Sequence, residues 1–420
     1  MSPSARALAV LFAVNLLNIY DRQVLGALAE PVRREFGLSD MQIGALSTLF
    51  TLVYAVFGLP LGRMADTRGR RGLLAAGVAV WTSLTALGGL ASSYAMLLAS
   101  RLGVAVGEAA CAPAATSWIG DLYPPERRSR AMAVFMLGVP LGVALSFAIS
   151  GPVAQAWGWR AAMLVAALPA VVLIPALLRL EEPARGATQK AAAGGREVLR
   201  SPAFLWIIAS GALVNFVLYA ISTFFPAFLT RFHGLSVAQA GVWAGIGSGA
   251  AGVLGASAAA WSGDRRPHAA GRLATAALAS LAAAPVALAG ILLPPGSAAG
   301  AVVFIMAAYG LLQMYYGLVY AAIQDLVAPQ LRGTAMAVYF MAMYLCGASF
   351  GPLLTGRLSD VLARRAVEAG AAAEAARATG LHQAMYIIPA LSAALALVLW
   401  AGARVTAERS GPSRPIRSTP

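Results

Sequence analysis

Apolar residues come in long blocks, separated by short polar stretches, along almost the whole chain. A bilayer core about 30 Å thick calls for roughly 20 apolar residues per helix. Windows of that length predict twelve spans, near residues 6–28, 41–62, 73–93, 95–119, 130–152, 160–179, 203–229, 238–260, 271–293, 299–323, 333–356 and 383–404. One stretch of the first block, LLNIYDRQVLG, sets Asp21 beside Arg22 deep in apolar surroundings, and two charges there need a reason.

The blocks repeat. DLYPPERRSRAMAVF, from Asp121, matches DLVAPQLRGTAMAVY, from Asp325, 204 residues on, with Asp, Leu, Pro, Arg, Ala, Met, Ala and Val shared. Two six-helix halves of one ancestry follow. The predicted fold class is an all-α membrane protein with a first bundle over 1–179, a linker over 180–202, a second bundle over 203–408 and a tail over 409–420. Parallel repeats of this kind put a binding site near the midplane, between the halves.

Composition leads to the same class. Hydrophobic residues are 59% and charged residues 11% of the 420, and the mean hydropathy is +0.73. Ordinary soluble domains carry about 25% charged residues, so the excess apolar surface requires lipid as its solvent. The net charge of +14 lies in arginine clusters between the blocks rather than along one basic face, which argues against a nucleic-acid partner. Arg63, Arg68, Arg70 and Arg71, then Arg127, Arg128 and Arg130, then Arg179, Arg185, Lys190, Arg196 and Arg200 share one face with both termini. The positive-inside bias makes that face cytoplasmic, in a bacterial inner membrane, and a monomer is expected. Arg364, Arg365 and Arg377 fall on the other face, accompanied by Asp360, Glu368 and Glu374.

Other signals are negative. The first apolar run is too long and too continuous for a cleavable signal peptide. Cys111 and Cys346 sit in apolar segments and read as small core residues, and His233, His268 and His382 are too scattered to suggest a metal site. GIGSGAAG, from Gly245, lies inside the eighth span, where close helix packing explains its glycines better than a nucleotide does. No P-loop lysine follows a glycine motif, so ATP is not the expected energy source. Pro140 in LGVPLG predicts a kink.

GRMADTRGRR, Gly62 to Arg71, closes the second span, and a degenerate copy, AWSGDRR, with Asp264, Arg265 and Arg266, stands at the equivalent place in the second half. A glycine there lets helices approach, an aspartate can sit against a helix N-terminus, and arginines can pair with carboxylates. The segment resembles the loop motif G-x-x-x-D-x-x-G-x-R/K-R/K of the major facilitator superfamily, departing from its commoner form at Thr67. That resemblance implies a conformational gate of Gly62, Asp66, Arg70 and Asp121, with Asp264 as counterpart.

A narrower resemblance lies in NIYDRQVLGAL, FGLSDMQIGALSTLF and RLGVAVGEAACAPAATSWIGDLYPPERRSRAMAVFMLGVPLG. These look like the spinster family, whose first span carries N-x-x-D-R and whose fourth carries R-x-x-V-G-x-G-E. Here the fourth-span set is Arg101, Val104, Ala105, Val106, Gly107 and Glu108, with a departure at Val106. The resemblance implies a secondary active transporter of an amphipathic anion such as a lysophospholipid or sphingoid phosphate, working by alternating access and driven by a proton gradient without other cofactors. Hexuronate and aromatic-acid carriers share part of the first-span pattern, so a small organic acid is the alternative substrate. A receptor or enzyme without transport is the alternative from another class.

Arg101 and Glu108 are seven residues apart, so they project from nearly the same side of a helix, about 10 Å apart along it. Counted from the span ends, Asp21 and Arg101 lie at similar depth and can pair. An ionisable group in the hydrocarbon costs at least ~2.5–3.5 kcal/mol, so it needs a partner or a cavity. Desolvation favours a protonated carboxyl and a neighbouring arginine favours an ionised one, so a carboxylate whose arginine comes and goes would exchange a proton with conformation. Glu108 is the expected main proton carrier, with Asp21 its partner or a second carrier. Arg22 and Arg101 are expected to neutralise them or to hold an anionic headgroup; a static salt bridge between the first and fourth helices is the alternative. Asn15, Asn18, Thr48, Tyr54, Asn215, Tyr219, Gln313, Tyr316 and Tyr320 could line the same cavity as substrate-binding residues, and Phe216, Phe224, Met314, Phe340 and Met343 would suit an acyl chain.

Overall fold

The computed structural model describes residues 2–67, 69–183, 201–266, 268–327 and 332–410. The first half comprises α1 (Pro3–Phe36), α2 (Asp40–Thr67), α3 (Arg70–Gly89), α4 (Tyr94–Glu108), α5 (Cys111–Leu122), α6 (Pro125–Met136), α7 (Gly138–Ala167) and α8 (Ala170–Leu178). The second comprises α9 (Pro202–Arg231), α10 (Val237–Asp264), α11 (Ala269–Ile291), α12 (Ala298–Leu326), α13 (Arg332–Met343), a π-helical turn over Tyr344–Ala348, α14 (Phe350–Glu368), α15 (Ala373–Ala384) and α16 (Ile387–Ser410). Eleven stretches among the described residues are long and apolar enough to cross a bilayer. One of them, Arg130–Leu178, holds two of the expected spans, folded back at Gly158, whose φ of 83° suits glycine. The chain is an integral membrane protein of all-α fold. Below, the face at the starts of α1 and α9 is the terminal face, and the opposite one is the distal face.

Two breaks inside spans fall next to prolines, although Pro31, Pro60, Pro152, Pro175, Pro226 and Pro285 lie within continuous helices. α4 stops at Glu108 and α5 resumes at Cys111, because Pro113 has no N–H for the carbonyl of Ala109 and its ring crowds that carbonyl. The same effect at Pro140 interrupts the fifth span at Leu137, so the distortion expected at the proline falls about one turn before it. Glu108 therefore sits at a helix end in mid-span. The π turn at Tyr344–Ala348 also leaves Cys346 exposed, against the expectation of a core residue.

The halves meet along two seams, α7 against α10 and α2 against α14, and small residues make both possible. A Cβ at Gly245 would come 2.5 Å from the carbonyl oxygen of Ala144, and one at Gly241 would come 2.6 Å from that of Phe147. This is the packing expected of the GIGSGAAG glycines. On the other seam a Cβ at Gly44 would overlap the carbonyl oxygen of Pro352, and the Thr48 hydroxyl donates to the carbonyl of Ser349. Following α2 toward the terminal face, the aromatic contact of Tyr54 with Tyr344 (centroids 5.8 Å) is reached, and beyond it Val56 and Phe57 are exposed. Among the described residues, α5, α6 and α8 make no extensive contact with the second half. Among the described residues the halves are in contact on the distal side and apart on the terminal side. A Gly245→Val variant, overpacking the α7–α10 seam, is expected to lose about 1–3 kcal/mol. A lowered melting temperature in detergent checks this, and an unchanged one counts against a tight seam.

Candidate functional site

α1, α2, α3 and α4 bring two ion pairs together in the first half. Asp21 is fully buried, and each of its oxygens is satisfied: Oδ1 accepts from Arg101 Nη1 at 2.9 Å and Oδ2 from the Thr85 hydroxyl at 2.5 Å. Arg101 Nη2 also donates to the Asp21 backbone carbonyl, at 3.3 Å. Glu108 is equally buried but half satisfied. Its Oε2 accepts from Arg22 Nε at 3.2 Å, while Oε1 has no hydrogen-bond partner, and neither has Arg22 Nη2. The Arg22 guanidinium lies over the Tyr54 ring, 4.2 Å from its centroid, a favourable cation–π arrangement. Asp21 is thus satisfied on both oxygens, although Arg101 Nε has no partner, whereas Glu108 has an oxygen left over.

The second half presents a different wall. Its six spans carry no Asp, Glu, Lys or Arg away from their ends. Tyr219 and Tyr344 of the second half lie close to Arg22, and Tyr316 donates to Asn215 Oδ1 at 3.0 Å. Tyr320 packs on Tyr316, Tyr339 and Phe340, with ring centroids 5.4–5.7 Å apart. Tyr315 and Tyr339 are buried behind this layer, with Ser210 bonded to Tyr315 at 2.8 Å. Charge on one wall therefore faces aromatic rings and hydroxyls on the other.

Several expected cavity residues stand elsewhere. Asn15 is buried within the first half, donating to the Phe135 carbonyl at 2.8 Å, and Asn18 is buried beside it on α1. Thr48 belongs to the α2–α14 seam, and Gln313 Nε2 bonds the Tyr309 hydroxyl at 3.3 Å. Phe224, Met314 and Met343 lie in the packed core, which leaves Phe216 and Phe340 as half-buried apolar lining.

At the terminal face, Arg70 Nη1 reaches Asp121 Oδ2 at 2.5 Å and the Ser117 carbonyl at 3.1 Å. Glu182, which the sequence reading missed, receives the Arg70 and Arg71 backbone N–H groups and Arg70 Nε. Burial raises the Glu182 pKa, but these donors outweigh it and hold the group below its ordinary value. Its contribution is therefore present above the ordinary carboxylate pKa and is lost as pH falls through the lowered one. The Asp66 side chain lies outside the described residues. Gly62 is not forced by contact, since a Cβ there would meet only Pro113, at 3.8 Å. Asp264 is exposed. The repeat shows instead in Asp325, the counterpart of Asp121, which pairs with Arg272 at 2.5 Å.

The distal face carries a network that no motif announced. Arg231 of α9 bonds Glu30 of α1 at 2.6 Å and Asp40 of α2 at 2.8 Å, all three nearly buried. Arg33 pairs with Glu30 at 2.7 Å, and Ser359 donates to Asp40 at 2.7 Å. Asp360 of α14 accepts the backbone N–H groups of Asp40 and Met41 at 2.9 and 2.8 Å, capping the N-terminus of α2 from the other half. These charges were legible as span ends, but partners some 200 residues apart leave no local signal.

Two six-helix halves closed at one face over a charged mid-span site define a class, that of alternating-access carriers. The chain belongs to the major facilitator superfamily, whose family model matches residues 11–352. Within it the chain is a spinster-type transporter of a small molecule across the bilayer. It is 28% identical over 400 residues to human protein spinster homolog 1, covering 87% of this chain and 75% of that one. It is 37% identical over 371 residues to an MFS-type efflux pump of Mycolicibacterium smegmatis, covering 85% and 84%. Among solved structures, a bacterial homolog of the human lysosomal transporter Spinster, inward-facing and unoccupied, superposes with a TM-score of 0.87 at 26% identity, covering 97% of this chain and 98% of that one.

Proposed function

We propose that this carrier moves an amphipathic anionic lipid, of the lysophospholipid or sphingoid-phosphate kind, and couples it to a proton through Glu108. The observation that carries the reading is the half-satisfied pair, with one oxygen of Glu108 and one nitrogen of Arg22 unpartnered in a buried site. A proton on Glu108 removes the charge that holds Arg22, and an anionic headgroup then takes the guanidinium. Proton and anion thus favour each other's binding. The aromatic wall of Tyr316, Tyr320 and Phe340 suits the apolar part of the same molecule. Asp21, satisfied on both oxygens, has the role of a fixed strut between α1 and α4.

In this reading the arginine-rich terminal face is cytoplasmic, the membrane is the bacterial inner membrane, and the structure is inward-facing. Arg70 with Asp121 acts as a gate at that face. The test is uptake into vesicles of labelled lysophospholipid against labelled hexuronate and aromatic acids, with and without a pH gradient. Lipid movement that follows the gradient is expected. Acid movement without lipid movement overturns the substrate, and lipid movement indifferent to the gradient overturns the coupling.

A further inference from the structure

A second cavity lies on the outer side of α1, away from the ion pairs. The fifth span leaves the sixth after the turn at Gly158 to pack on α10, while α8 leans on α3, and the gap between them is floored by α1. The cleft has a volume of about 480 Å³, within the range of roughly 300–1,000 Å³ usual for small-molecule sites. Ala13, Leu16, Leu145, Ile149, Val165 and Val172 line it. The mouth opens beside Leu145, Ile149 and Val172, which are 39, 38 and 71% exposed in a part of the chain that faces the bilayer.

The two helices that bound the cleft change character at the same level. On α1, Arg6 precedes Ala13 by seven residues, and beyond the end of α8, Arg179 follows Val172 by seven. Seven residues return a helix to nearly the same face about 10 Å along. Each apolar wall therefore ends, at the terminal face, in an arginine. Both arginines are exposed, and neither joins an ion pair among the described residues.

We propose that the cleft holds one acyl chain of an acidic glycerophospholipid of the bilayer, with its phosphate between Arg6 and Arg179. An apolar slot of this size has nothing to offer a polar ligand, and two cations at headgroup depth select for negative charge. The site is separate from the transport reading, because α1 stands between the cleft and the Arg22–Glu108 pair.

The test uses the full-length protein in phosphatidylcholine vesicles containing phosphatidylglycerol with a diazirine in its acyl chain, and mass spectrometry locates the adducts. Labelling concentrated on the α1 segment around Ala13 and Leu16 is expected, displaced by unlabelled phosphatidylglycerol. In the Arg6→Gln, Arg179→Gln double variant, the competitor needed for displacement rises about thirtyfold. Ala13→Trp fills the slot and removes the local adducts while sparing those elsewhere; if that variant fails to fold, Leu145→Trp blocks the mouth instead. Labelling spread over all bilayer-facing helices in proportion to exposed area, or equal displacement by phosphatidylcholine, overturns the proposal.

Discussion

Glu108→Gln is expected to reduce gradient-driven lipid uptake to the level of empty vesicles while leaving the protein folded. The amide still offers an oxygen to Arg22, whose charge also rests on Tyr54, so the stability loss is modest. What is lost is the ability to change charge. Exchange of lipid for lipid, which needs no net proton movement, should persist. Asp21→Asn gives the opposite result: breaking a buried pair by removing one partner costs about 3–5 kcal/mol, so a large fall in melting temperature dominates. If Glu108→Gln transports at the wild-type rate under a gradient, the Arg22–Glu108 pair is a static strut and the coupling assignment fails.

Arg231→Gln is expected to open the distal face. The guanidinium is shared by Glu30 and Asp40, and without it the buried Asp40 carboxylate loses its arginine in the closed state alone, while Glu30 keeps Arg33. A penalty of about 3–5 kcal/mol confined to that state shifts the closed-to-open ratio by roughly two to four orders of magnitude. Spin labels at Gln42 and Arg364, both exposed at this face, would report it in a background without Cys111 and Cys346. A longer distance should dominate in the variant, and an unchanged distribution means the two seams alone hold the face shut.

Much of the fold could be read from periodicity and punctuation. Long apolar blocks gave the helices, and Gly158 shows why two spans form one folded stretch. Pro113 could have marked the break after Glu108, since a proline unsettles the carbonyl four residues back wherever it falls inside a helix. Depth counting set Asp21 level with Arg101, and the structure has them 2.9 Å apart. Depth alone could not pair Arg22 with Glu108, because that contact depends on how α1 turns about its axis. Glu30, Asp40 and Arg231 were hidden for another reason: charges at span ends are common, and only the approach of the halves makes these three a lock. Polar residues at helical spacing were the least informative, since Asn15 and Gln313 serve packing within one half.

The even pairing of buried charge has an electrical consequence. Asp21 with Arg101 and Glu108 with Arg22 sum to zero, and a singly charged anion on Arg22 together with a proton on Glu108 leaves the loaded site at zero as well. A membrane potential acts on a moving elementary charge with about 2.3 kcal/mol per 100 mV, so a neutral site feels nothing in either direction of its cycle. Any voltage dependence of transport then counts the charge of the cargo beyond one proton per anion, which turns a current measurement into a stoichiometry.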